Sequence, residues 1–162
     1  MWSFMYLCYL MTAITALLLF LTGLQGLLQF SIFQVGHPAF AIFTLIIYLF
    51  TQTIIIFFFV GNGMTIKEHI AKDATSDKNL YQRALTIKKK IYPPVMLNIL
   101  LVSCVFITGG AVDTNRFPGW LHGLLFLAAF IHFIKIISVE HASFRESTKI
   151  FLELSGLKLG EP

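Results

Sequence analysis

The run PAFAIFTLIIYLFTQTIIIFFFV, residues 38–60, decides the fold. It carries no charged side chain, and at about 1.5 Å per helical residue it reaches roughly 35 Å, enough to cross a bilayer core of about 30 Å. Three further stretches read the same way: residues 4–28, 94–112 and 118–139. Pro38, Pro94 and Pro118 open three of the four, in the first turn, where the missing N–H leaves no helical bond unmade. The pattern predicts an all-α integral membrane fold. Its parts are a four-helix transmembrane bundle, a cytoplasmic helical loop (residues 61–93) and a C-terminal amphipathic helix within a tail (residues 140–162). Residues 1–162 form one transmembrane domain in this reading.

Composition agrees with the run. The chain is 57% hydrophobic and 12% charged, against about 45–50% and about 25% in soluble domains. An excess of this size leaves a soluble surface apolar and sticky. A soluble enzyme, a disordered chain and a secreted disulfide scaffold are all excluded. Cys8 and Cys104 lie in apolar runs without a Cys-x-x-Cys partner and read as buried thiols. The first stretch lacks a basic leader, and its apolar run is about twice the length of a signal-peptide core, so it reads as a retained helix.

The formal charge of +4 is explained by where the charges sit. The connection from Gly61 to Tyr92 holds Lys67, Lys72, Lys78, Arg83, Lys88, Lys89 and Lys90 against Glu68, Asp73 and Asp77. The other two connections are short and nearly uncharged. Basic loops stay on the cytoplasmic side, so the long loop and both termini face the cytoplasm of a bacterial inner membrane, or the matrix of a mitochondrial one. Nucleic acid is not an expected partner. Lipids are, with Lys88, Lys89 and Lys90 meeting anionic headgroups, and so are other membrane protein subunits.

Within the loop, Thr65-Ile66-Lys67-Glu68 matches a capping box and predicts a short helix to about Ala71. A second helical stretch runs from about Lys78 to Ile91. Gly61-Asn62-Gly63 and Gly109-Gly110 read as helix stops. In the tail, Phe144, Ile150, Phe151 and Leu154 recur on one side and Arg145, Glu146, Lys149 and Glu153 on the other. That face suits the membrane surface or a partner subunit, and Gly156 ends it.

Polar residues inside the spans mark the places where chemistry can occur. Near the outer face lie Gln25, His37 and His122, with Asp113 and Arg116 in the adjoining loop. Imidazoles from two helices at one depth can ligate haem iron, which makes His37 and His122 candidate haem b ligands. Deeper, Gln52, Asn98 and His132 share the inner third, with Lys135 less than a turn below. They read as a quinone headgroup site or as an interhelical hydrogen-bond network. The pairs Glu68-His69 and Glu140-His141 have metal-ligand chemistry, but adjacent helical residues point about 100° apart, and both pairs read as solvated surface. No Asp or Glu falls inside the four spans, which argues against a proton-coupled transporter.

No catalytic motif is present, and the chain reads as a subunit rather than an enzyme by itself. In size and helix count the layout resembles the small haem- or quinone-binding anchor subunits of respiratory complexes, such as those of succinate dehydrogenase. That resemblance implies a membrane subunit carrying haem b or quinone for electron transfer. The alternative is a non-catalytic structural or assembly subunit packing on partner membrane proteins.

Overall fold

A computed structural model describes residues 2–72 and 79–156. It is helical throughout: α1 (Trp2–Leu28), α2 (His37–Lys72), α3 (Asn79–Asp113) and α4 (Gly119–Leu154). Among the described residues the only extended pairing is an isolated bridge, Ile32 with Val35, in the α1–α2 connection. All four helices are long and apolar enough to cross a membrane.

Each helix packs on the next in the chain, and α1 also packs on α4. Cross-helix hydrogen bonds set the registers. Thr15 meets Thr51 at 2.8 Å and Thr22 meets Thr44 at 2.7 Å, so α1 and α2 run antiparallel. Tyr9 bonds His141 at 2.9 Å, and Thr148 donates to the Met5 sulfur, so α1 and α4 are antiparallel too.

The buried positions follow steps of three and four. In α1 they include Cys8, Thr12, Thr15, Leu19 and Thr22. In α3 they are Leu80, Ala84, Ile87, Ile91, Val95, Asn98 and Val102. In α4 they include Phe133, Ile136, Glu140, Ser143, Ser147 and Ile150. Such spacing keeps one narrow face toward the neighbouring helices. Large apolar side chains point the other way: Leu10, Leu17, Phe57, Leu100 and Ile107 are all exposed. Buried threonines beneath exposed leucines suit a lipid solvent, because small residues let helices approach while the tails solvate the bulky ones. Trp2 and Trp120, both exposed, stand at opposite ends of this apolar region, as interfacial tryptophans do.

The expected helix stops do not operate. α2 continues through Gly61-Asn62-Gly63 to Lys72. Asn62 donates from its amide to the Ser147 hydroxyl at 3.0 Å and ties α2 to α4 there. The Thr65 capping box is not a helix start, because the Thr65 hydroxyl donates back to the Gly61 carbonyl in mid-helix. α3 likewise runs through Pro93-Pro94 and past Gly109-Gly110 to Asp113. The reason is tertiary: Ile87, Ile91 and Val95 stay buried across the prolines, and that continuous packing outweighs the missing backbone bonds. The loop's two helical stretches are therefore extensions of α2 and α3, and Lys78 lies outside the described residues. At 36, 35 and 36 residues, α2, α3 and α4 each reach about 53 Å, well beyond α1.

The tail also differs from its expected place. Phe144 packs on Tyr9, Phe58 and Phe59 at ring separations of 5.0–5.1 Å, and Ile150 is fully buried. Its apolar face is covered by the chain's own α1 and α2. Its charged face engages α3: Arg83 pairs with Glu146 and with Glu153, each at 2.6 Å. Those hydrogen bonds, to Glu153 first and then Glu146, raise the proton affinity of Arg83. Gly156, at φ +74, ends the helix as expected.

Candidate functional site

Two polar groups lie inside the helices, one toward the short connections and one toward the lysine-rich end. His37 opens α2, and its ring lies against α1 at Gly26, where an added Cβ would come within 3.0 Å of Cε1. His122, in the first turn of α4, lies over α3 at Gly109, where a Cβ would come within 3.3 Å. Each imidazole thus packs closely on a glycine, where a Cβ would require the ring to shift. The rings are close enough for their charges to interact, and Asp113 acts on both. The two predicted residues lie at the same end of the helices, His37 of α2 against α1 and His122 of α4 against α3.

Their hydrogen bonding decides what they can do. Thr108 donates its hydroxyl proton to the backbone carbonyls of Cys104 and Val105, both at 2.9 Å. The same hydroxyl lies 3.1 Å from His122 Nδ1, a contact that accepts the ring proton in the Nδ1–H tautomer. With the proton on Nδ1, the lone pair of His122 sits on Nε2. Nδ1 of His37 is buried and has no hydrogen-bond partner. Gln25, expected in the same group, is fully buried and donates to the Val35 carbonyl at 2.7 Å, which pins the α1–α2 connection. Arg116 is exposed in the α3–α4 connection.

The deeper group divides. Asn98 accepts from the Tyr48 hydroxyl and donates to the Ala129 carbonyl, both at 2.9 Å. It crosslinks α2, α3 and α4 and has both side-chain polar atoms engaged. Tyr48, its partner, was not read as a polar intramembrane residue, because Tyr within an apolar run looks like packing. Nδ1 of His132 is buried without a partner, so that nitrogen does not join the Asn98 network. Lys135 is exposed and faces away from the interior. Gln52 is 1% exposed, and neither its amide nitrogen nor its oxygen has a hydrogen-bond partner.

Glu140 is the residue the sequence reading placed wrongly. Expected on solvated surface beside His141, it is 2% exposed and occupies the packed face of α4. Its neighbours by electrostatic reach are Cys8 and Tyr48, and its carboxyl lies within interaction range of Gln52. Gln52 lies at hydrogen-bonding reach of this carboxyl without the geometry of a closed bond. His141 fits the expectation, exposed and bonded to Tyr9, and so do Glu68 and His69, both exposed. The seam spacing Phe133, Ile136, Glu140, Ser143, Ser147 was the signal that could have found Glu140.

Among the described residues no cluster of three His, Cys, Asp or Glu forms a metal centre. Of the three lysines, Lys88 reaches across to α2 and covers Gly63, while Lys89 and Lys90 are exposed. The chain matches no known family, and comparison with curated proteins and with solved structures finds no match either.

Proposed function

We propose that the chain is an electron-transfer subunit of a larger membrane complex, a four-helix transmembrane bundle holding haem b between His37 and His122. The observation carrying this reading is the convergence of two imidazoles from α2 and α4 at one end of the helices, each seated on a glycine. The residues present fit such a group. His37 offers a buried ring nitrogen without a partner. Thr108 stands 3.1 Å from His122 Nδ1, where an acceptor would hold the ring proton and leave Nε2 for a ligand, as outer hydrogen-bond partners do for ligating histidines. When bound, haem supplies a one-electron carrier. The protein's part is to present two imidazoles, each held against a glycine of the adjoining helix, His37 on Gly26 and His122 on Gly109. Exposed apolar faces along all four helices leave room for partner subunits and lipid. Lys89 and Lys90, free of the contact that occupies Lys88, are placed for anionic headgroups.

In this reading the short connections face outward and the lysine-rich end faces the cytoplasm or matrix. The test is the visible spectrum of the purified protein with haem supplied, oxidised and dithionite-reduced. A Soret band with a sharp reduced α band is expected, lost in His122→Ala. Thr108→Val should weaken haem affinity by about 10–100-fold. A flat spectrum with haem in excess would overturn the proposal and leave the structural or assembly role.

A further inference from the structure

A second site, independent of haem, lies toward the lysine-rich end. The registers set by Thr15 with Thr51, Tyr9 with His141 and Met5 with Thr148 bring Thr12, Gln52 and Glu140 to within about a turn of one level. Ser143 follows Glu140 by three residues on the same buried face. Side chains on a helix tilt toward its N-terminus, so on α4 the Glu140 carboxyl leans back toward Gln52. Four oxygens here are buried without a closed hydrogen bond, Thr12 Oγ1, Gln52 Oε1, Glu140 Oε1 and Ser143 Oγ, and so is the Gln52 amide nitrogen, which lies within reach of the Glu140 carboxyl. Unpartnered buried polar atoms are uncommon in folded proteins and destabilise them by about 1–3 kcal/mol each. Four gathered from three helices at one depth call for an occupant.

The donor set identifies its chemistry. Hydroxyl, carboxamide and carboxylate oxygens are hard ligands that suit hard cations, not zinc or copper. One carboxylate balances one positive charge, whereas a divalent ion in this low-dielectric interior would remain half compensated. The neighbouring Cys8 is a neutral thiol in an apolar run and adds no charge. Ser143 also lines a groove of about 370 Å³ between α3 and α4, bordered by Arg83, Thr86, Lys90 and Glu146. Arg83 there is already paired with Glu146 and Glu153. From this placement we infer that Thr12, Gln52, Glu140 and Ser143 bind one alkali-metal cation inside the helix bundle.

The experiment is thermal unfolding of the full chain in detergent at constant ionic strength. Choline chloride is replaced stepwise by lithium, sodium or potassium chloride, at pH 7 and at pH 9, where protons compete about a hundredfold less for the carboxyl. The expected result is a saturable rise in midpoint with at least one alkali cation. At about 100 times its dissociation constant the cation should favour the folded state about 100-fold. Glu140→Gln should abolish the rise and Glu153→Gln should retain it. Should Glu140→Gln fail to fold, Thr12→Val and Gln52→Ala keep the carboxylate, and each should raise the half-maximal cation concentration at least tenfold. Identical midpoints in choline and in every alkali chloride at both pH values would overturn the inference. So would a rise that Glu140→Gln leaves intact.

Discussion

The lysine-rich half and the histidine half are built from the same helices with the same seam spacing, yet their cores have different contents. In the lysine-rich half the seam is bulky and apolar: Ile55, Phe58, Phe59, Ile66, Ile87, Ile91, Phe144 and Ile150 form one cluster. In the histidine half the apolar cluster is small, Leu19, Tyr48, Val102, Ala129 and Phe133, and hydrogen bonds cross between threonines and through Asn98. The outer surfaces are reversed as well. Lys89, Lys90 and Glu153 stand outside the first half, and Leu100, Ile107 and Leu124 stand outside the second. The difference teaches where each half finds its stability. In the lysine-rich half burial of apolar side chains dominates the packing; in the histidine half close approach and interhelical hydrogen bonds do, the pattern that a lipid surround favours.

The largest expected effect lies in the lysine-rich half. Phe144, 1% exposed and stacked among three aromatic rings, should on conversion to Ala lose about 3–5 kcal/mol, read by denaturant titration in micelles. Next comes Asn98→Leu in the other half. It removes two buried hydrogen bonds and should lower stability by about 1–3 kcal/mol, at the upper end of membrane values. Arg83→Gln breaks two ion pairs whose partners are 36% and 40% exposed. The expected loss is under about 1 kcal/mol and should shrink further in high salt. Last is Leu100→Ala at a site 59% exposed. It should change stability by less than about 0.5 kcal/mol, because so exposed a side chain has little packing to lose. A Leu100→Ala loss as large as that of Phe144→Ala would break the comparison between the halves.

The spans were legible because a long uncharged run has few other solutions in a folded protein. The interior face was not, because a helix apolar on every side carries no contrast to mark which stripe faces inward. Thr12, Thr15 and Thr22 did mark it, through size rather than hydropathy, and Tyr48 was hidden among the leucines and isoleucines around it. His37 and His122 could be matched by depth alone, since short connections force α2 and α4 to start at the same end. Glu140 was missed because a carboxylate near the end of an apolar run looks like the point where the membrane stops. Only the registry of α4, with Ile136 and Ser143 on either side, shows that it faces inward. The glycine stops failed for the same reason that the prolines were tolerated: packing on a shared seam carried the helices past them.

Pro93 and Pro94 have a mechanical consequence. Where α3 leaves the apolar region it lacks two rungs of its backbone ladder, because neither proline can donate to the carbonyl four residues earlier. α2 and α4 pass the same level without a proline. Bending stiffness is thus unequal among the three rods that project beyond α1. A sideways load on the projecting end is borne by α2 and α4, while α3 flexes between Ile91 and Val95. The compliant rod is the one gripped at its tip by Arg83, so the ion pairs to α4 act as the tether that returns it.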